Sequence, residues 1–153
     1  MPSRRDMIRM TDEEVERFIG AGKSLQLATI NRDGTPHLVT MWYGILEGKI
    51  VIETFEKSQK AVNLRRDPRI ACLLESGTEY AELKGVQING NAQLVTDPAE
   101  VTELMKAVLR RNHEMDEAML EMAAAQGSKK RIGAIVEPTK VVSWDHTKLD
   151  VSY

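Results

Sequence analysis

Apolar positions first recur at helical spacing. Thr11-Asp12-Glu13-Glu14 is a capping box, a hydroxyl followed three residues later by a glutamate, which satisfies free amides at a helix start. Val15, Phe18 and Ile19 follow on one face, and Gly20 and Gly22 end the helix. The period then shortens to that of strands. Leu25 to Ile30 reads as a strand. Asn31-Arg32-Asp33-Gly34 reads as a turn, because Asp-Gly reaches positive φ cheaply. Pro36 to Tyr43 forms a second strand, Leu46-Glu47-Gly48-Lys49 a turn, and Ile50 to Phe55 a third strand. This pattern predicts an antiparallel meander.

Ser58 caps a short helix running to Arg66, with Ala61, Val62 and Leu64 as its apolar contacts and Asp67-Pro68 as its stop. Ile70 to Leu74 is a short apolar strand, and Glu75-Ser76-Gly77-Thr78 turns the chain. Tyr80 to Val95 is a long strand whose Gly85 and Gly90 predict bulges or tight bends. Asp97-Pro98 opens the longest helix, which continues to Ala125 with a break near Asn112-His113. Gly127 and Lys129-Lys130-Arg131 read as an exposed exit. Ile132 to Val136 and Lys140 to Trp144 read as two final strands separated by Glu137-Pro138. The tail from Asp145 to Tyr153 is polar but carries Leu149, Val151 and Tyr153, a pattern suited to docking on a neighbour. No alternating βαβ pattern occurs, so the expected class is mainly β, a barrel with flanking helices.

Size and charge narrow the picture. The 153 residues suit one domain. A net charge of −2 disfavours generic duplex binding. The single cysteine, Cys72, excludes an internal disulfide and sits among Ile70, Ala71, Leu73 and Leu74 as a buried hydrophobe would. The first ten residues lack a signal peptide's apolar core, and no run of about 18 apolar residues suggests a membrane helix. A cytoplasmic protein is expected.

Two stretches could carry chemistry. Lys57, Ser58, Gln59 and Lys60 fall at a helix start, where unpaired amides and a partial positive charge favour an anion. They read either as a phosphate site or as a solvated, well-capped helix start. Arg65, Arg66 and Arg69 extend the basic cluster or pair with acidic neighbours. Val39-Thr40-Met41-Trp42 lies opposite Ile52 to Phe55, where a planar ring could rest beside Thr40 and Thr54. Plain barrel packing fits Met41 and Trp42 equally well. Met105, Met115, Met119 and Met122 on the long helix fit core packing, a lid or a partner surface. His37, His113 and His146 show no metal spacing, and there is no nucleophile elbow, phosphate-binding P-loop or dinucleotide fingerprint.

The order Leu27-Ala28-Thr29-Ile30, Asp33-Gly34-Thr35-Pro36, Thr54, Ser58-Gln59-Lys60, Asn63 to Arg69 and Gly90 to Leu94 resembles the pyridoxamine-phosphate-oxidase-like split barrels. Within them it looks most like the group that uses the deazaflavin coenzyme F420. The resemblance covers Thr11 to Trp144, and its most specific piece is Ser58 to Arg69. It implies a six-stranded antiparallel split β-barrel, a homodimer, and two cofactor sites at the subunit interface. The phosphate-bearing tail would sit at Lys57, Ser58, Gln59 and Lys60. The ring would lie against Val39, Thr40 and Met41 near Thr54, and the partner's Glu79-Tyr80 region would close the groove. Many relatives carry arginine where Gln59 stands, which leaves Lys60 more of the tail's charge. The implied activity is hydride transfer between reduced F420 and an unsaturated small molecule, with water or Tyr80 giving the proton. An FMN-dependent oxidoreductase and a non-catalytic cofactor carrier are the alternatives. The catalytic residues remain unassigned, and no metal is implied.

Overall fold

A computed structural model describes residues 1–149; of the tail, Val151 and Tyr153 lie outside the described residues. Two helices lead in. Ser3 and Asp6 form a capping box around α1 (Arg4–Met7), which the sequence reading missed because it spans a single turn. Thr11 and Glu14 do the same for α2 (Asp12–Ala21). Val15, Phe18 and Ile19 of α2 pack on the barrel core.

The strands are β1 (Ser24–Ile30), β2 (Pro36–Trp42), β3 (Gly44–Leu46), β4 (Lys49–Phe55), β5 (Arg69–Ser76), β6 (Lys84–Val95) and β7 (Arg131–Asp145). They form one antiparallel sheet in the order β2-β1-β5-β6-β7-β4-β3. Its two edge strands, β2 and β3, are separated in the chain by Tyr43 alone. The sheet must therefore curl until its edges meet at that residue, which gives a split half-barrel. Short turns enforce the curl. Gly34 takes φ 87° between β1 and β2, and the Asp33 carboxylate accepts from the Thr35 amide at 3.0 Å.

Seven strands replace the expected six because the run Pro36 to Tyr43 does not stop there. Tyr43 is fully buried, its hydroxyl donates to the Ile19 carbonyl at 2.5 Å, and the chain resumes at once as β3. Gly44 is required at this point, since a Cβ would lie 2.7 Å from the backbone of Ala107. The expected strands 132–136 and 140–144 are one strand. Pro138 does not interrupt it because the proline sits at a bulge, where the partners step from Gly90↔Pro138 to Asn89↔Lys140. On its other side β7 has already left β4, whose last partner is Ile135, so the missing proline N–H is not needed there. Tyr80 is not strand but part of a 3-10 turn, Tyr80–Glu82, ahead of β6.

Leu25, Leu27, Ile52, Cys72 and Val86 are at most 1% exposed and fill the barrel interior. Each large aliphatic side chain buried there stabilises the fold by about 2 kcal/mol. Leu64 of α3 (Gln59–Arg66) closes one side of this core. The expected break at Asn112-His113 separates α4 (Pro98–Asn112) from α5 (Glu117–Gly127). α4 lays Val101, Leu104 and Ala107 on Val51 and Val95 as a second core. Lys106 of α4 ties α5 to it through Glu121 at 2.6 Å and also pairs with Glu103 of its own helix at 2.8 Å.

Candidate functional site: a groove at the barrel split

Asn63 fixes α3 in place. It is fully buried, donates from Nδ2 to Thr29 Oγ1 and Asn31 Oδ1 at 3.0 Å each, and accepts from Gln59 Nε2 at 2.9 Å. The N-terminus of α3 is thereby held beside the end of β4. Ser58 caps it by accepting from the Ala61 amide at 3.3 Å, and its hydroxyl lies 3.0 Å from that of Thr54.

β2 hydrogen-bonds to β1, and β4 to β3 and β7, so β2 and β4 are not ladder partners. They face each other across the split, where a groove of about 530 Å³ opens. Val39, Thr40, Met41 and Trp42 form one wall, and Thr54, Phe55 and Lys60 lie on the other. The α4–α5 pair supplies an apolar third side with Met105, Val108, Leu109 and Ala123. Of the Met-bearing helical residues, Met105 thus reaches the groove, while Met119 and Met122 are 56% and 74% exposed.

The structure brings Val39, Thr40, Met41, Thr54 and Lys60 together on that groove. Ser58 joins them through Thr54. Lys57 and Gln59 are exposed, and the Gln59 amide is turned toward Asn63. Tyr80 lies elsewhere in the same protomer: its hydroxyl accepts from Arg4 Nη2 at 3.3 Å and its ring packs against His146 at 4.6 Å. Arg65 and Arg66 donate to the carbonyls of Glu56 and Ile30, and Arg69 pairs with Asp67 at 2.7 Å. These arginines serve the ends of α3 and do not line the groove.

Arg131 corrects the sequence reading of an exposed exit. Its side chain is 23% exposed, lines the groove, donates from Nη1 to Glu53 Oε2 at 2.5 Å, and lies over the Phe55 ring at 4.0 Å. The β4–β7 ladder sets this up by pairing Glu53 with Gly133 and Phe55 with Arg131. The available signal was Glu53 itself, a lone carboxylate in the apolar run Ile50 to Phe55, which demands a cation. Burial lowers the pKa of Lys60 below that of an ordinary lysine; Glu53 opposes the shift and Arg131 adds to it. The groove therefore carries two cations, one anion and the hydroxyl residues Thr40 and Thr54 on otherwise apolar walls. That arrangement suits a flat ligand bearing an anionic arm.

A second cleft, of about 460 Å³, lies on the outer face of β1, β5 and β6 between Ala28, Ile30, Ala71 and Asn89. Its one cation, Arg69, is already paired with Asp67. Cys72 faces the core, and burial pushes its thiol up to about 12, so it is no nucleophile. No helix among the described residues is long and apolar enough to cross a membrane.

Curled antiparallel sheet, flanking helices and a groove at the split define a protein of the split-barrel class. The chain belongs to the pyridoxamine 5'-phosphate oxidase family, whose profile matches residues 11–145. It is similar to a conserved hypothetical protein, Rv2991, of Mycobacterium tuberculosis, with 38% identity over 99% of this chain and 95% of that one, and a TM-score of 0.93. The fold is also that of an F420 reductase (20% identity, 82% and 94% of the two chains, TM-score 0.65). It recurs in the haem storage protein HutZ of Vibrio cholerae (16% identity, 86% and 94%, TM-score 0.67). No curated protein matches the chain.

Proposed function

We propose that this protein is an F420-dependent oxidoreductase that passes hydride between the reduced deazaflavin and an unsaturated small molecule. The observation that carries the reading is the convergence of Lys60, Thr54, Val39, Thr40 and Met41 on one groove at the barrel split. The family supports a flavin-type cofactor, and the F420 reductase neighbour supports the deazaflavin.

The residues present fit such a group. Lys60 and the capped start of α3, with Ser58 and the exposed Lys57, would hold a phosphate-bearing arm. Val39, Thr40 and Met41 would lie along the ring. Gln59 would contribute its backbone amide, since its side chain is engaged with Asn63. When bound, the cofactor supplies the hydride-carrying ring carbon; this chain binds, orients and excludes water. Met105, Val108 and Leu109 keep the third side dry.

A homodimer belongs to the same reading. α2 and α3 pack on the inner core, and α4 on β3, β4 and β7. The outer face of β2, β1 and β5 carries Leu38, 69% exposed, beside half-buried Ala28, Ala71 and Leu73. A second copy on this face would cover it, and the partner's Tyr80 would close the groove. The test of activity is reoxidation of reduced F420 across unsaturated carbonyls, quinones and tetrapyrroles. Turnover that Lys60→Ala abolishes supports the enzyme. Tight binding without turnover across the panel would favour a cofactor carrier.

A further inference from the structure

We propose that Arg131 recognises an oxyanion on the occupant of the groove, and that Glu53 is its built-in competitor. In the free protein Glu53 Oε2 holds Arg131 Nη1 at 2.5 Å, and the guanidinium lies over the Phe55 ring, its Cζ 4.0 Å from the centroid. The pair is largely enclosed, with side chains 23% and 13% exposed. Arg131 Nε is buried and has no hydrogen-bond partner among the described residues. One nitrogen of the planar fork is thus committed to a carboxylate while another is unsatisfied. A fork of this kind is matched best by a carboxylate or phosphate that takes two donors at once.

Lys60 faces the same groove and feels both charges. Lys60 supplies a mobile point charge and Arg131 a fixed direction. An oxyanion entering beside Lys60 takes over the Arg131 fork and displaces the Glu53 carboxylate. Glu53 keeps the arginine ordered while the groove is empty, and only a ligand whose oxyanion replaces its carboxylate gains the fork. The groove then separates a ring with an anionic arm from the same ring without one. This rests on the cofactor reading only in the choice of flavin probes.

The test uses FMN and riboflavin, which share a ring and differ by a phosphate, and inorganic pyrophosphate, which has no ring. Flavin affinity is read by fluorescence and pyrophosphate binding by the shift in Tm. Glu53→Gln should tighten FMN and enlarge the pyrophosphate shift, Arg131→Gln should weaken both, each by about tenfold in affinity, and riboflavin should not change. Arg131→Lys, which keeps the charge and loses the fork, should fall between, and it decides the matter if Arg131→Gln fails to fold. An unchanged FMN-to-riboflavin ratio and unchanged pyrophosphate response in every folded variant would overturn the proposal. If neither flavin binds but pyrophosphate follows the expected order, the anion site stands, the FMN alternative falls, and titration with F420 decides the cofactor reading separately.

Discussion

Asn63 donates to Thr29 Oγ1 at 3.0 Å, so a residue on α3 is anchored to one 34 positions earlier on β1. The contact is buried, and it sets where the start of α3 points. Asn63→Ala would leave Thr29, Asn31 and Gln59 without this partner. It should lower stability by about 3 kcal/mol, measured by urea unfolding. Phosphate-bearing ligands should also bind more weakly in the variant, because the groove loses its fixed edge.

Lys60 gives a pH signature. Burial, reinforced by Arg131, puts its pKa below the ordinary 10.5. Between its folded value and 10.5 the unfolded chain holds more protons, so this residue makes stability rise with pH through that window. Binding of an anion falls over the same window, because neutral lysine does not attract it. FMN affinity measured from neutral to alkaline pH should therefore decline before an ordinary lysine titrates. Lys60→Met should remove that decline.

Cys72 should be inert in the native protein. Its side chain is 1% exposed, and burial raises the thiol to about 12. Labelling with a disulfide reagent at pH 8 should be slow in buffer and complete in guanidinium. Rapid native labelling would show that β5 opens far more readily than its pairing with β1 and β6 implies.

The outer sheet face predicts a dimer of twice 17.2 kDa by light scattering. Leu38→Asp places a charge on that face at a residue already 69% exposed in the protomer. It should leave the fold intact by circular dichroism and shift the mass toward one chain. A dimer unaffected by Leu38→Asp would place the interface elsewhere.

Much of this was legible in the sequence because its signals are local. Ser58 as a cap, Asp33-Gly34 as a turn and the break at Asn112-His113 each depend on a few neighbouring residues. Val39 to Met41, Thr54 and Lys60 could be grouped from the family pattern, and they share one groove. Arg131 could not be grouped with them, because it meets Glu53 across 78 residues through the β4–β7 ladder. β3 was hidden because Tyr43 interrupts the run only by burying itself. Pro138 resembled a strand end because a bulge that tolerates proline depends on Gly90, far away in the chain.

The most direct test of the central claim is a fluorescence titration of the purified protein with coenzyme F420 and, separately, with FMN. Saturable binding with F420 preferred is expected, with a loss of about tenfold or more in affinity for Lys60→Ala. Preference for FMN would move the protein to the flavin branch of its family, and binding of neither would contradict the assignment of the groove as a cofactor site.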